Sequence, residues 1–383
     1  MKRAAATIVW VLLVSAPLAA AESRVGPRGQ IIVDGRPSIP LAVWVQPTYL
    51  FDYNQQLGLT CMVNPHVERR MVHLRRRTVF SEADRTGLQI ITRYRDEAVR
   101  EPSVLAWSAD VMVPGRLDRL RRSYDWIRGK DRTHFIIRNI DVHEFLDGQS
   151  PEFYREALRH TDAVICHVWP EFRNDGKRNL RNVATFVDMI RDYCKDRPGG
   201  EVAVMPDINP HAWHAKERAG GTNYPVPTRA ELRFQIWLAL IHGADAVCFF
   251  PISFDPFVYS QITAQNEQEI AWNAQLIRRM TPALAAEESP LGITVRSDRA
   301  DGILDVTTRR AGGTHTVFLV NGQAEEQTAT LSVPGLGTEW TLRDAVNDKP
   351  VDLKGSGEFS EKLPGLALRI WQLVPAGGAA PPK

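Results

Sequence analysis

Eight short apolar runs, each followed by a longer amphipathic stretch, constrain this chain more than any other feature. They fall at residues 39–45, 60–64, 89–94, 104–110, 133–140, 163–168, 201–207 and 244–252. Helical patterns such as 113–129, 151–160, 180–196 and 229–241 lie between them, and another at 266–285 follows the eighth run. A near-continuous apolar run bounded by turn residues reads as a strand covered on both faces, the condition of strands in a parallel sheet. Repeated eight times, this strand–helix alternation predicts an α/β fold in which the sheet closes into a (β/α)8 TIM barrel spanning 26–286. The rival is an open doubly wound sheet, which normally carries a glycine-rich phosphate turn after an early strand; none stands here.

After Pro290 the period changes. Residues 304–308, 314–321, 329–333 and 367–373 read as short alternating strands with Gly and Asn turns between them. That pattern predicts a small antiparallel β-sandwich over 289–375, packed against the barrel and shielding its last helix. Trp340 and Trp371 are the only tryptophans it could offer to a glycan, and Trp371 sits in an apolar strand and is expected in the core. The tail, 376–383, is rich in Gly, Ala and Pro and is predicted to be disordered.

The N-terminus sets the expected compartment. Lys2 and Arg3 precede an apolar core at residues 8–14, and Ala19, Ala20 and Ala21 stand before Glu22. This is the three-part pattern of a signal peptide over 1–21. A retained anchor is the alternative, but a spanning helix needs about 20 apolar residues and this run is shorter. The chain is therefore expected to be secreted or periplasmic, with no stable membrane insertion after cleavage. A formal net charge of +2, with both signs spread along the chain, gives no stripe for a nucleic-acid partner. The densest basic cluster, Arg69, Arg70, Arg75, Arg76 and Arg77, reads as a solvated face. Cys61, Cys166, Cys194 and Cys248 lie in separate segments and read as buried free thiols rather than a disulfide framework. No spacing suggests zinc, and no cofactor is expected.

Barrel enzymes work at the carboxyl ends of their strands. Here those ends offer Trp44, Asn64, His66, Arg93, Trp107, Asp110, Asn139, His167, Trp169, Glu171, Asp207, Asn209, His211 and Trp213. Aromatic faces stack on the apolar faces of sugar rings, while carboxylates and amides bind hydroxyls, so a carbohydrate site is the natural reading. The plain alternative for any one Trp is that it seals the barrel top. His66, His167 and His211, with Asp207 or Asp110, raise a metal reading. Barrel amidohydrolases, however, usually carry His-x-His on strand 1, which is absent here, so no metal is expected.

Four segments carry a family resemblance. "IIVDGRPSIPLAVWVQP" at 31–47 has a DGRP hairpin leading into strand 1, and "PSVLAWSADV" at 102–111 forms strand 4. "TDAVICHVWPEF" at 161–172 covers strand 6, and "PTRAELRFQIWLALIHGADAVCFFPISF" at 227–254 covers the closing helix and strand 8. Together they resemble clan-A-like glycoside hydrolase barrels with a C-terminal β-sandwich, over nearly all of the chain after residue 21. The resemblance implies a hydrolase acting on a polysaccharide or oligosaccharide through paired carboxylates. In those relatives strand 4 usually ends in Asp-Glu-Pro or Asn-Glu, and that Glu is the general acid; here Val111 follows Asp110. Strand 7, where relatives often place a nucleophilic Glu, offers Asp207.

Hydrolysis needs one protonated and one ionised carboxylate flanking the bond. The candidate pair is Asp110 as nucleophile or base with Glu171 as acid, its pKa raised by Trp169 and the apolar mouth; Asp207 is the third candidate. Without the strand-4 Glu, the alternative is a degenerate barrel that binds glycans and does not cleave them. Each carboxylate also has a structural reading: Asp110 as a hydrogen-bonding group, Glu171 as an exposed loop residue, Asp207 as a loop cap.

Overall fold

The computed structural model describes residues 22–67, 78–140, 145–168, 179–214, 223–254, 257–334, 340–351 and 357–376. The expected leader at 1–21, the arginines between 69 and 77, and the tail from 377 lie outside them. Eight parallel strands close into a barrel in chain order: β1 (Leu41–Trp44), β2 (Cys61–Val63), β3 (Gln89–Arg93), β4 (Val104–Met112), β5 (Phe135–Ile140), β6 (Ala163–His167), β7 (Ala203–Ile208) and β8 (Val247–Phe249). Each expected run holds all or most of one of them, β4 and β7 running past the expected ends to Met112 and Ile208. The α-helices among the described residues are α1 (Phe51–Gln56), α2 (Val79–Thr86), α3 (Leu117–Lys130), α4 (Pro151–Ala157), α5 (Asn182–Cys194), α6 (Arg229–Ile241) and α7 (Ala264–Leu284). Helix α6 keeps its expected bounds because Thr228 and Glu231 form a reciprocal capping box that fixes its first turn.

Strand periodicity sorts side chains into two cores. Ala42, Cys61, Val63, Ile91, Phe135, Ile137, Ile165, Met205 and Cys248 fill the barrel interior. Val43, Met62, Ile90, Val164, Cys166, Val204 and Phe249 face the helices instead. An antiparallel sheet of Ser23–Val25, Ile31–Val33 and Arg36–Ser38 closes the amino-terminal end, with Ile31 inserted into the interior cluster. Its last turn is Asp34–Gly35, both at positive φ, as a tight hairpin requires. All four cysteines are free and buried, and burial pushes the Cys61 and Cys248 thiols up, away from the reactive thiolate.

The C-terminal part forms the expected β-sandwich: a six-stranded and a three-stranded antiparallel sheet around Val317, Leu319, Leu331, Leu342, Leu363 and Trp371. Trp371 is fully buried, as expected. Strand Thr314–Asn321 is buried on both faces, because Phe318 and Val320 join the helix-side core of the barrel. Phe318 stacks on Trp237 of α6 at 6.1 Å. Arg181 grips Asp305 through two bonds of 2.6 and 2.7 Å, so the junction is anchored by charge as well as by apolar burial. Among the described residues no helix is long and apolar enough to cross a membrane.

Candidate functional site at the barrel mouth

Alternation along β6 and β7 turns Ala163 and Ile165, then Ala203 and Met205, inward, so the next inward positions are His167 and Asp207. The two strands pair with Asp207 opposite His167. His167 Nδ1 lies 2.5 Å from Asp207 Oδ2. Asp207 is wholly enclosed, and its loss of hydration drives its carboxyl above the usual range, although the His167 imidazole pulls the other way. Trp44 meets the His167 ring edge-on at 5.3 Å, and Phe250 does so at 5.1 Å. The histidine side chain is 24% exposed, so among the described residues it is the imidazole, and not the enclosed carboxylate, that reaches the mouth.

From Phe250 an aromatic run climbs the rim. Phe254 and Phe257 face each other on a short hairpin (Ser253–Phe254 with Phe257–Val258) at 6.4 Å, and Tyr259 and Tyr49 continue the row at 4.8 and 6.5 Å. Phe254 and Phe257 are 58% and 57% exposed, which is unusual for two neighbouring phenylalanines. His66 holds the base of this hairpin, with its Nε2 2.8 Å from the Tyr259 hydroxyl. Gln46 donates to the Tyr259 carbonyl, also at 2.8 Å. Across the mouth the groups are polar. Asn64 Nδ2 reaches Ser108 Oγ at 3.4 Å, Arg93 is exposed opposite Ser108 in the β3–β4 register, and Asn139 is half-buried on β5.

Several expected contacts are corrected. Trp107 is fully buried on the outer face of β4, among Ala98, Val104, Ile127 and Ile136, and its indole N–H donates to Asp131 at 2.6 Å. A register shift explains this: Ile90 pairs with Val104 but Ile91 with Ala106, so Leu105 and Ala106 both serve the interior and the later parity flips. Asn209 and His211 are 5% and 2% exposed and offer almost no surface to an incoming sugar. They build the loop after β7 instead: Asn209 Oδ1 accepts the His211 N–H at 3.1 Å, and Asn266 of α7 donates to the Pro210 carbonyl at 2.9 Å.

Asp110 is part-exposed near the end of β4 and ion-paired with Arg119 of α3 at 2.7 Å. Its carbonyl accepts from Arg138 at 3.2 Å, just where the β4–β5 register shifts. Trp169 and Glu171 lie outside the described residues. Trp213 starts a two-residue strand paired with Asn223–Tyr224, and its side chain lies outside the described residues. Phe250, Phe254, Phe257, Tyr259 and Tyr49 were not singled out from sequence. The signal was the crowding of aromatics and prolines in "FFPISFDPFVY", which a reading by strand ends passes over. Among the described residues no three His, Cys, Asp or Glu side chains gather as a metal site.

No protein-family model matches the chain, and no curated protein matches it in sequence. Solved structures do match in fold. One described as a glycoside hydrolase aligns with a TM-score of 0.63 at 10% identity, over 94% of this chain and 98% of its own. A glycoside hydrolase family 5 protein from Bacteroides vulgatus gives 0.59 at 11% identity, covering 92% and 93%. A noncanonic maltogenic alpha-amylase from Thermotoga neapolitana gives 0.54 at 11%, covering 88% and 98%. At such identities the likeness is one of architecture, and in architecture this chain resembles the glycoside hydrolase (β/α)8 barrels.

Proposed function

We propose that the chain is an exported carbohydrate-active barrel that captures a polysaccharide or oligosaccharide at its mouth and holds it without cleaving it. One observation carries the reading: the exposed Phe254–Phe257 pair, continuous with Phe250, His167 and Trp44 inside the mouth. Exposed phenyl rings cost solvation unless a partner covers them, and a sugar ring offers a flat apolar face of matching size. The polar wall of Asn64, Ser108, Arg93 and Asn139 suits the hydroxyls of the same ring. Glycoside hydrolases among the structural neighbours favour a carbohydrate over other amphipathic ligands. The leader at 1–21 supports export.

Binding is favoured over hydrolysis by the state of Asp207. A nucleophile or acid must touch the glycosidic bond, and Asp207 is enclosed behind His167. Asp207 then acts as a positioning residue that fixes the imidazole tautomer, with Nδ1 toward the carboxylate. Hydrolysis is the second reading. What favours it is that Asp110 is part-exposed near the end of β4 and could work with Glu171.

Incubating the purified protein with a panel of polysaccharides separates the two readings, with depletion from solution and new reducing ends both measured. Saturable depletion with no new reducing ends is expected. Release of reducing ends that disappears in Asp110→Asn or Glu171→Gln would install the hydrolase instead, and absence of depletion from every glycan would sink both.

A further inference from the structure

The base of the barrel carries a cavity of about 300 Å³ between the amino-terminal sheet, the starts of β7 and β8, the end of α7 and the sandwich. Among the described residues Arg28, Arg191, Arg309 and His242 line it, against Glu201 and Asp245. Both acids are already engaged: Arg191 binds Asp245 at 2.7 Å and Glu201 at 2.9 Å. His242 is clamped between Asp188 and Asp305 at 2.8 and 3.0 Å. Burial works against its charge, but those two carboxylates outweigh it and raise the imidazole to about 9. Arg28 spends its guanidinium on two weak bonds, at 3.3 and 3.2 Å, to carbonyls beyond the last turn of α7. The Arg309 guanidinium, part-buried in the same cavity, has no hydrogen-bond or ion-pair partner among the described residues.

An unpaired guanidinium held away from bulk water is costly, and the cost falls when an anion enters. Its planar fork fits the two oxygens of a carboxylate, sulfate or phosphate. We infer that this cavity is an oxyanion-binding site, with Arg309 and Arg28 as its ligands and Arg191 as the part-buried cation that lines its wall. Burial and the repulsion of Arg28 and Arg191 leave the Arg309 guanidinium below its ordinary value despite Glu288 and Asp245, which is consistent with a cation awaiting a counter-charge. The volume sits at the small end of ligand pockets and suits one small anionic molecule rather than a chain.

The test is a titration of the full chain with sulfate, phosphate and glucuronate, each against sodium chloride at matched ionic strength. Melting temperature and calorimetric heat are followed. A saturable rise is expected with at least one of the three, because a ligand that binds only the folded state stabilises by mass action. Exclusion of sulfate from the protein surface also stabilises but does not saturate. The anion that saturates at the lowest concentration identifies the source as a sulfated, phosphorylated or carboxylated compound. Arg309→Gln should weaken that binding at least tenfold, Arg309→Lys should weaken it less, and the exposed control Arg296→Gln should leave it unchanged. An effect no greater than chloride for all three anions, or full affinity in both Arg309 variants, would overturn the site.

Discussion

The two ends of the barrel hold the same trio of residue types in opposite states. At the base, Asp131 and His134 lie 2.6 Å apart, with Trp107 edge-on to the histidine at 5.4 Å. At the mouth, Asp207 and His167 lie 2.5 Å apart, with Trp44 edge-on at 5.3 Å. At the base it is the carboxylate that is saturated. Asp131 also accepts from the Trp107 indole at 2.6 Å and from the Thr133 amide and hydroxyl at 2.7 and 2.6 Å. Burial alone would raise its carboxyl, yet these bonds outweigh it and hold the group well below the usual range. At the mouth the balance reverses: burial dominates, His167 opposes it alone, and Asp207 is pushed up. Geometry that looks alike therefore serves two ends, and the count of donors around the carboxylate separates a structural pair from one positioned for a ligand.

The sharpest way to break this comparison is to neutralise each aspartate. Asp131→Asn should cost about 3–5 kcal/mol in a urea unfolding curve, because it breaks a buried pair whose carboxylate is fully bonded. Asp207→Asn should leave stability unchanged or raise it at neutral pH. The signs of the pH dependence differ as well. A depressed carboxylate such as Asp131 contributes stability that is complete above its unfolded pKa and is lost as pH falls through the folded value. A raised one such as Asp207 contributes stability that is complete below its unfolded pKa and is lost as pH rises through the folded value. The gap between wild type and Asp131→Asn should close on acidification, whereas any advantage of Asp207→Asn should appear only on the neutral side. Parallel slopes would end the distinction.

The histidines come next in size. His134→Ala should lower the melting temperature and leave glycan affinity alone, whereas His167→Ala should weaken affinity with little loss of stability. If both variants simply unfold, both trios are structural. Smaller again is Phe257→Ala on the rim. Affinity should fall about tenfold, equivalent to about 1.4 kcal/mol, while stability moves by less than about 0.5 kcal/mol.

The same contrast explains what could be read from sequence. The eight strands and most helices were legible because burial on both faces writes itself as apolar runs, and amphipathic spacing marks the helices between them. His167 and Asp207 were legible because unbroken alternation carries them inward from Ala163 and Ala203. Trp107 was misjudged for a reason no pattern exposes: the shift at Leu105 reverses the parity of β4. Asn209 and His211 looked like mouth residues, but the loop after β7 folds back under Asn266, more than fifty positions away in the chain. The Phe254–Phe257 platform was missed because its residues lie beyond the end of β8, on a hairpin whose pairing is not carried by periodicity. The cavity of arginines at the base draws on segments scattered from Arg28 to Arg309, which only the closed fold brings together.

The most direct test of the central claim is calorimetric titration of a binding glycan into wild type, Phe254→Ala/Phe257→Ala and Trp107→Phe, all verified as folded. Saturable binding to wild type is expected, with at least tenfold weaker binding to the double variant and unchanged affinity for Trp107→Phe. Undiminished affinity in the double variant would place the ligand elsewhere and contradict the assignment of the barrel mouth.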